Sequence, residues 1–320
     1  MTTERKYYGV PRVRQVWWVE GSRAARAMPE PLPSQLSQFD IRPGSSFERG
    51  IFELFSDDDG ITAWDVVPMQ LPPGHYYPRM ARPTDMMPGN SPGFYPGIGD
   101  IQHELADMQR HLAALVRQLE QVCRYIHPAP ETLNTYGAEI RELLILACTE
   151  VEENWRAVLR ANGVSQERLT TRDYVALQDA MRLGDYAIRF DHFPALASFR
   201  PFAGWGASDA PTKELPWYDA YNAVKHSRSE NFAKGTLEHA FSAVSACAAM
   251  VFAQVGRSQA FLRGSGLEGF LSIEAAPNWN YGEVYTWVYR DHDEMMMAVN
   301  VPPSNPTSLV AVAYPFNIPS

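Results

Sequence analysis

A chain of 320 residues, 45% of them hydrophobic, can bury a full core without disulfides or metals and has room for one large domain or two of ordinary size. Its formal net charge of −9 argues against a chain-wide electrostatic grip on nucleic acid and leaves only a local basic patch for such a role. The first residues, MTTERKYYGV, show no charged-then-apolar leader, and no run nears the ~20 apolar residues that cross a bilayer. A soluble cytoplasmic protein with no membrane partner is expected.

Residues 1–100 are rich in Pro, Gly and aromatics, with strand patterns at 13–20 and 61–68 and a turn signal at Asp57-Asp58-Asp59-Gly60. No helix is expected there. The stretch 69–99, with PPGHYYPRM and MMPGNSPGFYPGIG, is too punctuated for regular structure and too aromatic for a solvated linker, so it reads as an arm packed on a surface. Such an arm is a candidate for holding a protein partner or a second copy of the chain.

A helical region follows. Over 101–126, Leu105, Met108, Leu112, Leu115, Leu119 and Val122 share one face. Over 131–161, Ile140, Leu144, Ala147, Val151, Trp155 and Val158 do the same, and Asn162-Gly163 marks a left-handed stop. Thr170 with Asp173 resembles a cap opening a shorter helix through Leu177 and Met181. Residues 186–190 alternate like a brief strand, and 191–216 is a connection long enough to suggest function, with Trp205 either over a ligand or plugging the loop. Helices are expected at 216–229 and 235–255, the second with Ala240, Ala243, Ala246 and Ala249 allowing close helix contact. Strands are expected at 270–275, 283–290, 296–301 and 309–315.

The fold class is therefore α+β: an antiparallel helical bundle core with a small antiparallel sheet from the C-terminal segments, with the N-terminal strands as its possible further members. The expected divisions are 1–100, 101–263 and 264–320. Cys123, Cys148 and Cys247 lie far apart in apolar helical settings, which favours buried thiols in a reducing compartment over metal or disulfide roles.

The segment WYDAYNAVKHSR, 217–228, carries more polar chemistry than its apolar spacing needs. At helical pitch Asn222 and His226 stand one above the other with Lys225 and Ser229 beside them, while Trp217, Tyr221 and Val224 form the apolar stripe. Asn222 and His226 can reach one phosphate or ribose, and Lys225 or Arg228 can neutralise the anion. A histidine titrating near neutrality beside a cation suffices for metal-free attack of a 2′-hydroxyl on a phosphodiester. The same residue types also serve solvated faces, caps and packing. Glu150, Glu152 and Glu153 can set the tautomer of His226 if their helix packs against it, or form an exposed acidic face. No histidine lies one turn from them to complete a metal set, and His103 and His111 are two turns apart. Neither a metal nor a cofactor is expected: phosphate-loop, Rossmann, nucleophile-elbow and HExxH patterns are missing.

The helices ELLILACTEVEENWRAVLRANG and WYDAYNAVKHSRSENF, followed by a small-residue helix, resemble the HEPN superfamily (higher eukaryotes and prokaryotes nucleotide-binding) over roughly 131–257. The resemblance implies a helical bundle, usually dimeric, common in prokaryotic toxin and antiphage systems. Its active members carry Arg, commonly then Asn, and then His on one helix and cleave RNA without metal. Asn222 and His226 match that pattern, whereas Tyr221 fills the Arg position, which throws the cationic role onto Lys225 or Arg228. Two functions follow: an RNA- or nucleotide-binding protein with metal-independent endoribonuclease chemistry at His226, or a non-catalytic interaction or oligomerisation protein with a degenerate site.

Overall fold

A computed structural model describes residues 5–28, 38–55, 65–83, 94–226, 230–256, 267, 269–286 and 309–318. Two compact units emerge: unit 1 is drawn from 1–76, 82–91 and 278–312, and unit 2 from 77–81, 92–277 and 313–320. The fold class is α+β.

Unit 1 is built on a five-stranded antiparallel sheet ordered β4-β3-β2-β1-β5: Lys6–Val10 (β1), Gln15–Glu20 (β2), Arg23–Met28 (β3), Gln38–Asp40 (β4) and Val67–Pro68 (β5). Alternation along β2 sends Trp17 and Val19 to one face, where the register sets Trp17 against Tyr8 on one side and Arg26 on the other. That face is covered by the helix Phe47–Phe55 (α1), whose Phe47 and Ile51, one turn apart, enter a core with Val10, Trp17 and Ala24. This helix corrects the expectation of no helix in 1–100. The misleading residue is Gly50, which weakens the helical pattern yet is needed because a Cβ there would overlap the ring of Phe39. Of the strand expected at 61–68, only β5 is described, and 61–64 lie outside the described residues.

The main sheet is thus N-terminal rather than C-terminal. The C-terminal part contributes Leu271–Ala275 (β8), which pairs antiparallel with Ala187–Phe190 (β7) in unit 2. It also contributes Val310–Ala311 (β9), which runs parallel, not antiparallel, to His75–Tyr76 (β6) in unit 1. Of the strand expected at 283–290, Glu283 closes a short 3-10 turn, Tyr281–Glu283, and 284–286 form no named strand, while 287–290 and 296–301 lie outside the described residues. Strand direction here is set by partners more than 80 residues away, which local alternation does not encode.

In unit 2, the helices Gln102–Cys123 (α2), Ala138–Ala161 (α3), Thr171–Tyr174 (α4), Ala176–Met181 (α5), Pro216–His226 (α6) and Leu237–Val255 (α7) follow the expected order. Their apolar stripes are buried as read, from Leu105 to Val122 on α2 and from Ile140 to Val158 on α3. The most extensive pairing is α3 on α7, with α2 and α6 each packed on both. Almost every α7 residue from Leu237 to Val255 is buried, and its alanines let α3 approach closely. Among the described helices α7 alone is long and apolar enough to cross a membrane, and most of it is buried.

Helix ends follow local chemistry. At the end of α3, Gly163 takes φ +86 while its N–H donates to the Arg160 carbonyl and that of Val164 to Leu159, the paired pattern of a Schellman stop. Asp173 accepts from both the N–H and the hydroxyl of Thr170, at 2.6 and 2.8 Å, and opens α4.

The described part of 69–99 is not a surface arm, which corrects that reading. Within unit 2, Ala81 N–H donates to the Ala253 carbonyl at 2.8 Å, and the Asn162 amide donates to the Pro78 carbonyl at 2.9 Å. Tyr77 meets Tyr314 edge-on, and Arg79 reaches the side chain of Gln254. Within unit 1, the N–H of Gly74 donates to Thr286, and Arg82 lies over the ring of Trp279. Its aromatics are spent internally. Residues 84–93 lie outside the described residues.

Candidate functional site

The polar helix α6 is anchored first by aromatics. Trp155 of α3 is surrounded by Tyr174, Phe202, Trp205, Trp217 and Tyr218, with ring centroids 5.0 to 6.3 Å away. Trp217 also donates its indole N–H to the Pro201 carbonyl at 2.8 Å. Trp205, at the tip of the long connection, stacks on Trp155 and is buried, so it is the plug of that loop. The loop is clasped below the plug by Glu214, whose carboxylate accepts N–H bonds from Gly206 and Ser208. The Ser208 hydroxyl and these amides hold that carboxyl below its usual range.

One turn along, α6 turns its polar chemistry onto α3. The Tyr218 hydroxyl donates to Glu152 at 2.7 Å. Burial first, and this bond second, push the Tyr218 phenol up, so it stays a neutral donor. Tyr221 is 1% exposed and its ring lies 5.4 Å from that of Tyr218. Lys225, exposed at the rim, donates to the Tyr221 hydroxyl at 2.7 Å with its ammonium 4.8 Å from the ring centroid. That bond raises the Lys225 pKa against the opposing effect of desolvation, so the ammonium is retained. Beneath, burial pushes the Cys148 thiol well up, which removes it as a nucleophile.

The remaining sequence-derived site residues are distributed less simply. Asn222 is half-buried and its amide donates to the Tyr218 carbonyl of its own helix at 3.0 Å, leaving its oxygen as an acceptor. His226 is the last residue of α6, but its side chain lies outside the described residues, as do Ser229 and Arg228 entirely. Glu150 accepts from His111 of α2 at 2.9 Å, and Glu153 pairs with Arg156 on its own helix. The carboxylate that reaches α6 is Glu152, with Tyr218 as its donor. Spacing carried a signal for both: Cys148, Glu152 and Trp155 recur at one-turn intervals, as do Tyr218, Tyr221 and Lys225.

Chemically, this face offers one fixed cation, a neutral phenol held by a carboxylate, and an amide oxygen. Among the described residues no group of three or more His, Cys, Asp or Glu can hold a metal ion. No family model, curated protein or solved structure matches the chain.

Replacing Tyr218 by Phe is expected to cost about 1–2 kcal/mol, because Glu152 loses a charge-assisted bond at a half-buried position. Glu152→Gln, which keeps an acceptor oxygen, is expected to cost less. Urea titrations of the two variants check the order, and a larger loss for Glu152→Gln would contradict it.

Proposed function

We propose that unit 2 is a HEPN-like antiparallel helical bundle, acting as a homodimer, that binds RNA or nucleotides at the C-terminal end of α6. The observation that supports this most is the contact between Lys225 and Tyr221. Tyr occupies the position where the resembled pattern has Arg, and its hydroxyl fixes a lysine one turn later, so a positive charge is retained beside His226 in the chain. An ammonium has three donors, and one is spent on Tyr221. The others can meet a phosphate, with Arg228 as the second cation. Asn222, its amide donor already used, has an oxygen suited to a ribose hydroxyl. With His226 as general acid and base, the site would support metal-independent RNA cleavage of the kind found in toxin and antiphage systems.

A second reading, a non-catalytic interaction or oligomerisation protein with a degenerate site, is favoured by a different observation. Tyr221 is buried, and Tyr218, Asn222 and Lys225 all spend hydrogen bonds inside unit 2, as groups do that merely hold α6 in place.

Incubation of the purified protein with a mixed-sequence RNA in chelator separates the two. Cleavage that disappears in His226→Ala supports the enzyme. Binding without cleavage, with Lys225→Ala lowering the slope of log affinity against log salt by about 0.7, supports a binding protein. Failure to bind RNA even at low salt removes the RNA and nucleotide reading and leaves the interaction or oligomerisation protein with a degenerate site.

A further inference from the structure

We infer that the groove at the C-terminal end of α2 is a binding site for a small phosphate monoester carrying an aromatic ring. The inference is independent of the α6 reading, since no residue is shared. Beyond the buried stripe of α2, Arg117, Glu120 and Arg124 recur at intervals of three and four and so project on one side of its last two turns. They line a cavity of about 440 Å³ whose other wall is His192, Phe193 and Phe270. That volume lies in the range of sites for single small molecules and is too small for a folded polymer segment.

The far wall is tied together by hydrogen bonds and ring contacts. The Asp191 N–H donates to the Phe270 carbonyl at 2.9 Å, and the Asp191 carboxylate accepts from Arg189 and from the Ser272 hydroxyl, which ties the end of β7 to the start of β8. Phe270 in turn meets His192 edge-on at 5.1 Å and Phe193 at 5.9 Å. The aromatic surface is therefore in place before a ligand arrives, and little ordering is needed on binding.

The near wall carries two guanidiniums that no carboxylate pairs among the described residues. Neither Arg117 nor Arg124 has a carboxylate within 4.0 Å among the described residues, although Glu120 stands on the same helix in good spacing for Arg124. Glu120 instead faces the His192 ring nitrogen at 4.0 Å. Two guanidiniums unpaired among the described residues suit the oxygens of a phosphate, which they can grip in a fork. One carboxylate and the negative end of the helix dipole offset part of that charge, so a single phosphate group is favoured over a polyphosphate. The half-buried Cys123 thiol at the cavity wall is pushed up to about 12 by burial, so the groove holds a ligand without a thiolate to attack it.

Two sources share this chemistry, a nucleoside monophosphate and a simple aryl phosphate. Calorimetric titration of the full chain with adenosine monophosphate, phenyl phosphate, inorganic phosphate and adenosine tests the site. At least one aromatic monoester is expected to bind saturably and about tenfold or more tighter than inorganic phosphate or adenosine; which of the two binds tells the source. Arg117→Ala and Arg124→Ala are each expected to weaken it about tenfold or more. Arg110→Ala, on the same helix but paired with Asp107 outside the groove, should leave it unchanged. His192→Ala should weaken the aromatic ligand and not inorganic phosphate. The substituted arginines are exposed, and an unchanged melting temperature verifies the fold of each variant. Absence of saturable binding by either monoester overturns the inference. So does equal binding of inorganic phosphate, or binding indifferent to both arginines.

Discussion

Trp155→Ala is expected to destabilise the protein by about 3–5 kcal/mol, a large part of the 5–15 kcal/mol that holds a typical domain together. Trp155 is 0% exposed and touches rings from α4, from the connection at 202–205 and from α6. Truncation leaves a cavity that these segments cannot fill together, because each is fixed elsewhere: Trp217 on Pro201 and the loop on Glu214. Trp155→Phe should be far milder. The Trp155 indole N–H is buried with no hydrogen-bond partner among the described residues, so Phe removes an unsatisfied donor while keeping most of the ring. Urea titrations followed by circular dichroism compare the two. A loss under about 2 kcal/mol for Trp155→Ala would show that the aromatic cluster does not clamp α6 to α3. Under the proposed RNA-binding role of α6, the same variant is expected to lose that binding too, since Lys225 is positioned by the helix that Trp155 holds.

Gln254→Leu is expected to cost about 3–5 kcal/mol although it scarcely changes volume. Gln254, 0% exposed on α7, accepts from the Arg79 guanidinium at 2.8 Å and donates to the Asn154 side chain at 2.6 Å, which in turn donates to the Glu150 carbonyl at 2.7 Å. The chain of bonds crosses from 77–81 through α7 to α3. Arg79 is 9% exposed, its pKa is lowered by desolvation against the opposing charge of Glu104, and it also meets the Met108 sulfur at 3.4 Å. Leu at 254 would remove the oxygen that accepts from that guanidinium and would leave the Asn154 oxygen without its Gln254 donor, with the Glu104 charge and Tyr95 as the remaining electrostatic partners of Arg79. Arg79→Met should be tolerated better, and the double variant should recover at least about 2 kcal/mol relative to the sum of the single losses. Additive losses in a double-mutant cycle would mean that the charge is satisfied by other groups. Arg79 also sits at φ 55, a conformation that costs a non-glycine residue energy and persists where the surroundings over-determine it.

Much of the helical part is legible in the sequence because its information is local. The stripe on α2, the stop at Gly163 and the cap at Thr170 each depend on residues within one or two turns. The spacing of Asn222, Lys225 and His226 is likewise a property of helix geometry, and so is the approach of Tyr221 to Lys225. Where a glycine serves distant packing instead of a turn, as Gly50 does for Phe39, the local pattern misleads and α1 is hidden.

What the chain determined by itself is the set of amphipathic helices, their ends, and the polar face of α6, since hydrogen bonds and apolar periods within a few residues decide them. Tertiary structure alone decided that Glu152 rather than Glu150 or Glu153 meets α6, that β9 lies parallel to β6, and that 77–81 fills an interior with Arg79. Each of those pairings joins groups from 66 to 235 residues apart, as with Glu152 and Tyr218 or His75 and Val310. Their selection depends on which surfaces remain to be buried once the helices have packed, a quantity that no local pattern contains.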